Sequence, residues 1–283
     1  MNKSICCKDE IIFYFNKKYK YKNFQVFRCK NCNSGYVHPY PKDEVLIDLY
    51  ANENYKIKTC KDVIKDEEEF PNSSIDSKRI IENLLHYKKD NKKDLLDVGC
   101  GSGWICKEAM NNNFNVTATE LNLNNRNLTF EMSGVKPLDR IIDSNFCNEF
   151  ENKFDFIVLS QVLEHLKVDN YFLDNLSKLL KKDGILVIAV PNFSSFLSFL
   201  QGKNDMFIIP PEHINYFTFL GLKNLFMNIN LEVINYETVS RYDKFKLKKQ
   251  NKLLSFLFPI LDVFFYVSDK FNKGIFINIY LRK

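Results

Sequence analysis

Three glycines at alternate positions, Gly99, Gly101 and Gly103, directly follow a short apolar stretch that contains Asp97. Glycine lets the backbone take a positive φ and approach a ligand closely, because no Cβ intervenes. The next stretch, Trp104–Asn112, has the length of a short helix, whose first N–H groups would face the same point. A strand, a glycine turn and a helix in this order predict a cradle for a nucleotide-type cofactor.

The spacing of these glycines discriminates between cofactors. The dinucleotide fingerprint needs its third glycine at position 104, which is tryptophan here. Asp97-Val-Gly-Cys-Gly-Ser-Gly103 instead resembles motif I of the class I S-adenosylmethionine (SAM)-dependent methyltransferases. Gln161-Val-Leu-Glu-His-Leu166 and Pro211-Glu-His-Ile-Asn-Tyr-Phe-Thr218 are similar to two further signatures of that superfamily. The resemblance covers residues 75–283 and is specific because several motifs occur in order.

Alternating strands and helices predict a doubly wound α/β sheet. The resemblance implies a Rossmann-like, mostly parallel sheet of seven strands, the last of them antiparallel. We expect the first strand around Asp97 and the others at Phe114–Glu120, Arg140–Asp143, Lys153–Ser160, Gly184–Pro191, Leu231–Val239 and Ile275–Leu281. Helices are predicted at Ser74–Tyr87, Trp104–Asn112 and Phe219–Ile229, the last capped by Thr218.

Acidic side chains at strand ends are the candidate partners of the cofactor. A carboxylate at the end of the second strand, Glu120, can accept both ribose hydroxyls. The resemblance places Asp143 near the adenine amino group. Gln161 follows the fourth strand, where it could orient bound molecules. The predicted cofactor-binding residues are therefore Asp97, Gly99, Gly101, Gly103, Glu120, Asp143 and Gln161.

SAM carries the leaving group, so the protein must align the acceptor, exclude water and remove a proton. Histidine is the usual base near neutral pH. His213, between the fifth strand and the next helix, is the candidate general base, and a hydrogen-bonded wall of the site is the alternative. For His165 we favour a structural role over base chemistry. Some quinone-biosynthesis O-methyltransferases bind a divalent metal through Glu-x-x-Glu-His here, but Gln161 replaces the first carboxylate, which argues against that site.

Residues 1–55 do not fit the sheet and resemble an N-terminal zinc-ribbon-like domain, as found before methyltransferases of sugars and related small molecules. Cys29 and Cys32 have the Cys-x2-Cys spacing that places two thiolates on one metal. Upstream only the adjacent pair Cys6 and Cys7 is available, where the family form has a second Cys-x2-Cys. Zinc on these four cysteines and a metal-free ribbon both remain open. Residues 56–73 are predicted to be a linker, and 74–283 the methyltransferase domain.

A chain of 283 residues with 45% hydrophobic residues can form a full core and a small extra domain. A net charge of +5 without a strongly basic arm makes nucleic acid an unfavoured partner. We find neither a signal peptide nor a membrane-spanning segment and expect a cytoplasmic protein. An acceptor lid is predicted around 192–217 and an apolar helix around 250–270. Lysines followed by apolar residues within 244–267 indicate peripheral contact with the inner membrane face as an alternative to burial.

The leading hypothesis is SAM-dependent methyl transfer to a small molecule: a sugar, a nucleotide-linked sugar, or a surface glycan or lipid precursor. One alternative is an RNA methyltransferase with the ribbon as RNA reader, although the basic residues are scattered. Another is a non-catalytic SAM-binding scaffold subunit. The acceptor atom and the oligomeric state do not follow from the sequence.

Overall fold

The computed structural model describes residues 3–19, 22–42, 44–46, 58–87, 93–241 and 258–283. Its strands fall into two sheets, one in the N-terminal part and one in the predicted methyltransferase domain. In chain order they are β1 (Ile11–Tyr19), β2 (Lys22–Cys29), β3 (Gly35–Val37), β4 (Asp94–Val98), β5 (Asn115–Thr119), β6 (Phe154–Ser160), β7 (Leu180–Pro191), β8 (Asn215–Tyr216), β9 (Glu232–Val239) and β10 (Phe276–Arg282).

Several helices start at a side chain that accepts a backbone N–H of the first turn, which satisfies a group without an intrahelical partner. Thr218, Asp169 and Asp143 are such caps. The helices are α1 (Cys60–Glu69), α2 (Ser73–Leu85), α3 (Trp104–Asn111), α4 (Leu123–Ser133), α5 (Ser144–Glu149), α6 (Asn170–Leu179), α7 (Phe196–Gln201), α8 (Phe219–Met227) and α9 (Phe258–Lys270).

The larger sheet has the order β5-β4-β6-β7-β10-β9. Strands β4 to β7 pair in parallel, whereas β10 runs antiparallel to both of its neighbours. The predicted Rossmann-like α/β fold with an antiparallel last strand is therefore confirmed. Within the described residues this sheet has six strands, so the prediction of seven strands is corrected to six.

The missing strand is the one predicted at Arg140–Asp143. Residues 140–143 are not assigned to a strand, and the nearby Leu138 forms a single parallel bridge to Thr119. Pro137 precedes Leu138 and has no N–H to offer a ladder. Asp143 instead turns its side chain back to accept the N–H of Phe146, which starts α5. At the β5 edge of the sheet, the Asp143 side chain therefore caps a helix where the sequence predicted a strand.

The core lies on both faces of the larger sheet because successive side chains of a strand point to opposite sides. On one face Leu95 and Val158 pack with Ile80 and Ile81 of α2. On the other, Leu96 and its neighbours pack with apolar residues of α5, α6 and α8. This two-sided burial explains why the central strands are continuously apolar in sequence.

The N-terminal segment and the methyltransferase domain share a sheet. Strands β1, β2, β3 and β8 form four antiparallel strands, and β8 lies inside the predicted acceptor lid. The segment predicted as a linker, 56–73, contains helix α1, which Thr59 and Asp62 close with a reciprocal capping box. The linker at 56–73 stays a prediction, and residues 60–69 within it are helical.

The predicted apolar helix corresponds to α9, which begins at Phe258. Residues 250–257 and the basic run Lys244–Lys252 lie outside the described residues, as do 47–55 of the predicted ribbon and 56–57 of the predicted linker. In the part of the chain that the structure describes, no helix is both long and apolar enough to cross a bilayer.

Candidate functional site

The parallel strands β4 to β7 all end at one edge of the sheet. Residues that follow them, including the glycine turn, Glu120, Gln161 and Asn192, therefore lie along the same edge. Ligands of open α/β sheets bind at this edge, where strand order reverses. The fold thus brings together the residues that the sequence predicted for the cofactor.

The glycine turn has the backbone that only glycine adopts without strain. Gly99, Gly101 and Gly103 have φ values of +66°, +55° and +86°. A Cβ on Gly103 would lie 2.8 Å from the Thr129 Cα, and one on Gly99 would lie 2.9 Å from a Val162 methyl carbon. A Cβ on Gly101 would meet no atom within 4 Å. The outer two glycines are required by packing, and the middle one faces open space.

Glu120 is held against this turn by two backbone N–H groups. Its Oε2 accepts the N–H of Gly101 at 3.0 Å, and its Oε1 accepts that of Asn122 at 2.8 Å. Both oxygens keep further lone pairs for ligand hydroxyls. The carboxylate is therefore fixed beside the open side of the glycine turn.

Asp97 lies beneath the turn at 1% exposure, where the Cys106 thiol donates to its Oδ2 at 3.3 Å. Burial, together with the charge of Glu120, raises the pKa of Asp97 to about 7.

The other two predicted cofactor-binding side chains, Asp143 and Gln161, bind within the protein. Asp143 uses one oxygen to cap α5. Gln161 is exposed at the end of β6, and its amide donates to the Ala189 carbonyl at 3.3 Å.

Two predicted catalytic residues, His165 and His213, come from distant parts of the chain and meet. Their ring centroids are 4.7 Å apart in an edge-to-face arrangement. The Glu164 carbonyl accepts the N–H groups of Ile214 and Asn215 at 2.9 and 3.1 Å, which joins the two turns.

The imidazoles have a defined hydrogen-bonding state. Nδ1 of His165 donates to the Glu212 carbonyl at 2.7 Å, and Nδ1 of His213 donates to the Phe207 carbonyl at 2.8 Å. A carbonyl can only accept, so Nε2 of each neutral ring is the basic atom. Burial lowers the pKa of His165, and burial together with His165 lowers that of His213 to about 4. His213 is therefore neutral at pH 7 with Nε2 able to accept a proton.

Glu164 is the residue that sequence reasoning missed as part of this cluster. It is 1% exposed, and neither of its carboxylate oxygens has a hydrogen-bond partner among the described residues. Burial raises its pKa to about 8. Its Oε1 lies 3.9 Å from Nε2 of His165, and one atom each of Glu164, His165 and His213 lie within 4.8 Å of one another. The sequence signal for this residue is an acid that lies among apolar residues in the stretch Gln161–Leu166.

Asn192 has a structural role. Its amide donates to the Gly274 carbonyl at 2.8 Å, and its Oδ1 accepts the backbone N–H and the hydroxyl of Ser194. It fixes the loop that leaves β7.

The four predicted metal-ligating cysteines, Cys6, Cys7, Cys29 and Cys32, also meet, with their sulfur atoms within 4.8 Å of one another. Three of the four are buried. Hydrogen bonds reach the sulfurs from outside the group: Ser4 Oγ donates to Cys29 at 3.2 Å, and Asn224 Nδ2 donates to Cys7 at 3.2 Å. A hydrogen bond with Cys6 lowers the pKa of Cys32 to about 5. The set has the donor type, number and outer hydrogen bonds of a structural zinc site.

Hydrogen bonds join this cysteine cluster and its sheet to the histidine turn. Thr218 Oγ1 donates to the Cys32 carbonyl at 2.8 Å. The Tyr40 hydroxyl donates to Asn215 Oδ1 at 2.7 Å, and Asn215 Nδ2 donates in turn to the Leu166 carbonyl at 2.7 Å. The N-terminal segment therefore supports the loop that carries His213.

Residues 74–236 match the methyltransferase-domain family. The chain belongs to this family. The methyltransferase domain predicted from the glycine turn is thus confirmed, and the family covers both the glycine turn and the histidine cluster.

Curated relatives include enzymes named ubiquinone biosynthesis O-methyltransferase. That of Rickettsia typhi is 32% identical over 120 residues, which span 40% of this chain and 47% of the relative. That of Rickettsia bellii (strain OSU 85-389) is 26% identical over 163 residues, which span 54% of this chain and 68% of the relative. The chain thus spans about half the length of the first of these enzymes.

Solved structures share the fold at low sequence identity. A SAM-dependent methyltransferase from Archaeoglobus fulgidus has a TM-score of 0.54 at 17% identity, covering 78% of this chain and 99% of that chain. The 1,6-didemethyltoxoflavin-N1-methyltransferase from Burkholderia thailandensis, with bound 1,6-didemethyltoxoflavin and S-adenosylhomocysteine (SAH), has a TM-score of 0.55 at 14% identity. It covers 95% of this chain and 99% of that chain. At these identities the likeness concerns the fold alone.

Proposed function

We propose that this chain transfers the methyl group of SAM to an oxygen atom of a small-molecule acceptor. The observation that carries the proposal is the Glu120 carboxylate, held by the Gly101 N–H beside a glycine turn whose middle residue faces open space. The two relatives named as O-methyltransferases support oxygen as the accepting atom.

The residues at the sheet edge fit SAM. Glu120 would accept the ribose hydroxyls, the turn would lie against the amino-acid part, and Asp143 would lie toward the adenine. Asp97 is buried below the turn, where it accepts a hydrogen bond from the Cys106 thiol. SAM supplies an electrophilic methyl group and the leaving group, so the protein must align the acceptor and exclude water.

His213 would take the proton of the acceptor hydroxyl at Nε2, since its Nδ1 is already committed to the Phe207 carbonyl. A buried imidazole with a pKa of about 4 is a weak base and favours an acidic hydroxyl, such as a phenol, over a sugar alcohol. A sugar or nucleotide-linked sugar remains the other acceptor class, so both belong in a screen.

The test combines SAH titration with an acceptor screen. We expect SAH to bind, and SAH to accumulate from SAM with either catechol-type phenols or nucleotide sugars. We expect His213→Ala to lower kcat by about 10²-fold or more while SAH affinity stays within two-fold, as expected for loss of a general base. His86→Ala, at an exposed histidine directly after α2, is the control. An unchanged kcat for His213→Ala would remove this residue as base, and a folded protein that does not bind SAH would disprove the proposal.

We further propose that Cys6, Cys7, Cys29 and Cys32 bind one zinc ion with a structural role. Four thiol ligands, burial and hydrogen bonds from Ser4 and Asn224 support this assignment. Two adjacent cysteines are unusual zinc ligands, but the turn over residues 5–7 places both sulfurs within the group.

A further inference from the structure

An exposed apolar surface is formed by helices α7 and α9. Phe199 and Leu200 of α7 are 83% and 69% exposed, and Tyr266 of α9 is 64% exposed. On α9 the exposed apolar side chains recur at the spacing of one helix face. This surface, the α7–α9 face, comprises Phe199, Leu200, Met206, Ile260, Val263 and Tyr266.

Direct contacts make the two helices one surface. The Phe196 and Phe264 rings pack with centroids 6.3 Å apart. The Phe196 N–H donates to the Lys273 carbonyl at 3.0 Å, which ties the start of α7 to the turn after α9. Phe271, in that same turn, is also largely exposed. An exposed apolar patch on two helices in contact, unlike single exposed apolar side chains, indicates a contact surface.

Cationic side chains surround the α7–α9 face. Lys203 and Lys270 are exposed and Lys273 is half-buried, against the exposed Asp262 and the half-buried Asp269, which accepts a hydrogen bond from Ser240. In the sequence, residues 242–257 lead into α9 with five lysines and one acid. Apolar and aromatic side chains with lysines around them match the chemistry of an anionic bilayer, where rings enter the headgroup layer and lysines meet lipid phosphates. A second copy would instead bring like charges together.

The α7–α9 face adjoins the candidate active site. Helix α7 follows Asn192 at the end of β7, and β10 starts opposite that end, with Phe276 paired to Pro191. The Phe276 ring contacts that of Phe207, whose carbonyl holds His213. The exposed apolar residues therefore lie at the edge of the sheet that carries the glycine turn.

We propose that the α7–α9 face docks this protein on the surface of an anionic phospholipid bilayer. Docking would turn the candidate active site toward the membrane, where an acceptor with an apolar tail is concentrated. The binding itself does not depend on methyl transfer and is measured without it.

The test is co-sedimentation of the full-length protein with vesicles of phosphatidylcholine alone or with about one-third phosphatidylglycerol. We expect binding to the anionic vesicles, reduced at about 0.5 M salt because salt screens lysine–phosphate attraction. Phe199→Ser with Leu200→Ser should lower the partition coefficient at least about five-fold. The matched control, Met110→Ser with Met227→Ser, changes exposed apolar residues on other helices and should bind as the unaltered protein does.

A second variant, Lys203→Glu with Lys270→Glu, keeps the apolar surface and should also weaken binding to the anionic vesicles. SAH titration of each variant shows that it is folded and separates this proposal from the proposed function. No sedimentation with anionic vesicles, or equal sedimentation of all variants, would overturn the proposal. So would a dimer in light scattering that Phe199→Ser with Leu200→Ser dissociates, since a second copy would then cover the face.

Discussion

At the scale of single residues, Glu164 has the most unusual environment of the candidate site. It is a buried carboxylic acid without a hydrogen-bond partner among the described residues, and its pKa of about 8 follows from that burial. The acid is therefore protonated at neutral pH. Raising the pH ionises it, and the cost of a buried, unpaired charge then lowers the stability of the folded state.

We expect Glu164→Gln to stabilise the protein at alkaline pH. The folded state holds a proton on Glu164 up to about pH 8, whereas the unfolded state releases it near the ordinary pKa of 4.5, so stability falls as pH rises through this window. Glutamine does not titrate. Urea unfolding should be measured with a chelator present, so that no metal binds Glu164. The free energy of unfolding should be equal for the two proteins near pH 5 and higher by about 1–3 kcal/mol for the variant at pH 8. Glu232→Gln, at an exposed acid, should show no such trend; a constant difference between pH 5 and 8 would contradict the assignment.

Glu120→Ala tests the cofactor cradle. Loss of the carboxylate removes the ribose partner and the acceptor of the Gly101 N–H. We expect the Kd for SAH, measured by calorimetry, to rise about 10- to 100-fold, as for a lost pair of charge-assisted hydrogen bonds. Glu131→Ala on the exposed side of α4 is the control. An unaltered Kd would show that Glu120 does not bind the ribose.

Residue types and spacing were enough to predict the glycine turn, the position of Glu120 at the same edge of the sheet and the meeting of the four cysteines. The sequence could not reveal the environment of Glu164, because its burial depends on the loop around His213, some 50 positions later in the chain. Contact between His165 and His213 likewise follows from tertiary packing.

At the scale of elements, the glycine turn combines two different requirements. Gly103 is fixed by the backbone of Thr129 on α4, whereas Gly101 has space around it. Substitutions at these two positions should therefore separate stability from cofactor binding.

We expect Gly103→Ala to cost about 3 kcal/mol or more, since a left-handed φ and a clash with Thr129 add together. Gly101→Ala should cost about 1–2 kcal/mol, the penalty of the backbone conformation alone, yet abolish measurable SAH binding because its Cβ occupies the cradle. Urea unfolding and SAH calorimetry on the same samples check both values. Equal destabilisation, or retained SAH binding by Gly101→Ala, would contradict this account.

Strongly patterned elements were predicted well, with boundaries within a few residues for β6, α8 and β10. The error in the sheet fell where a local polar group decides. Asp143 caps a helix where the sequence predicted a strand. Capping interactions of this kind compete with any pattern based on hydrophobicity.

At the scale of the whole molecule, the N-terminal segment shares a sheet with β8, which follows the turn that carries His213. The sequence suggested a separate ribbon, because pairing between β3 and β8 joins residues about 180 positions apart and leaves no local signal. The cysteine cluster lies at the start of α8, which follows β8 directly.

Zinc removal should therefore affect the acceptor loop as well as the N-terminal segment. Elemental analysis is expected to find one zinc per chain, and chelation should lower Tm by about 5 °C or more. Hydrogen exchange should increase at the amides of residues 214–217. Cys29→Ser should behave as the chelated protein and Cys60→Ser as the unaltered one. Zinc-free protein, or exchange that changes only before residue 40, would contradict the coupling.

The β3–β8 pairing also determines which segments of this chain can be exchanged with those of a related methyltransferase. A chimera that took only residues 1–55 from another methyltransferase would separate Gly35 and Tyr36 from their partners Tyr216 and Asn215. It would also lose the fit between Ser34 and Gly221, where a Cβ would lie 2.0 Å from the serine hydroxyl. The unit of exchange is thus discontinuous: residues 34–37 and 214–221 must be inherited together, although strands β4 to β7 lie between them in the chain.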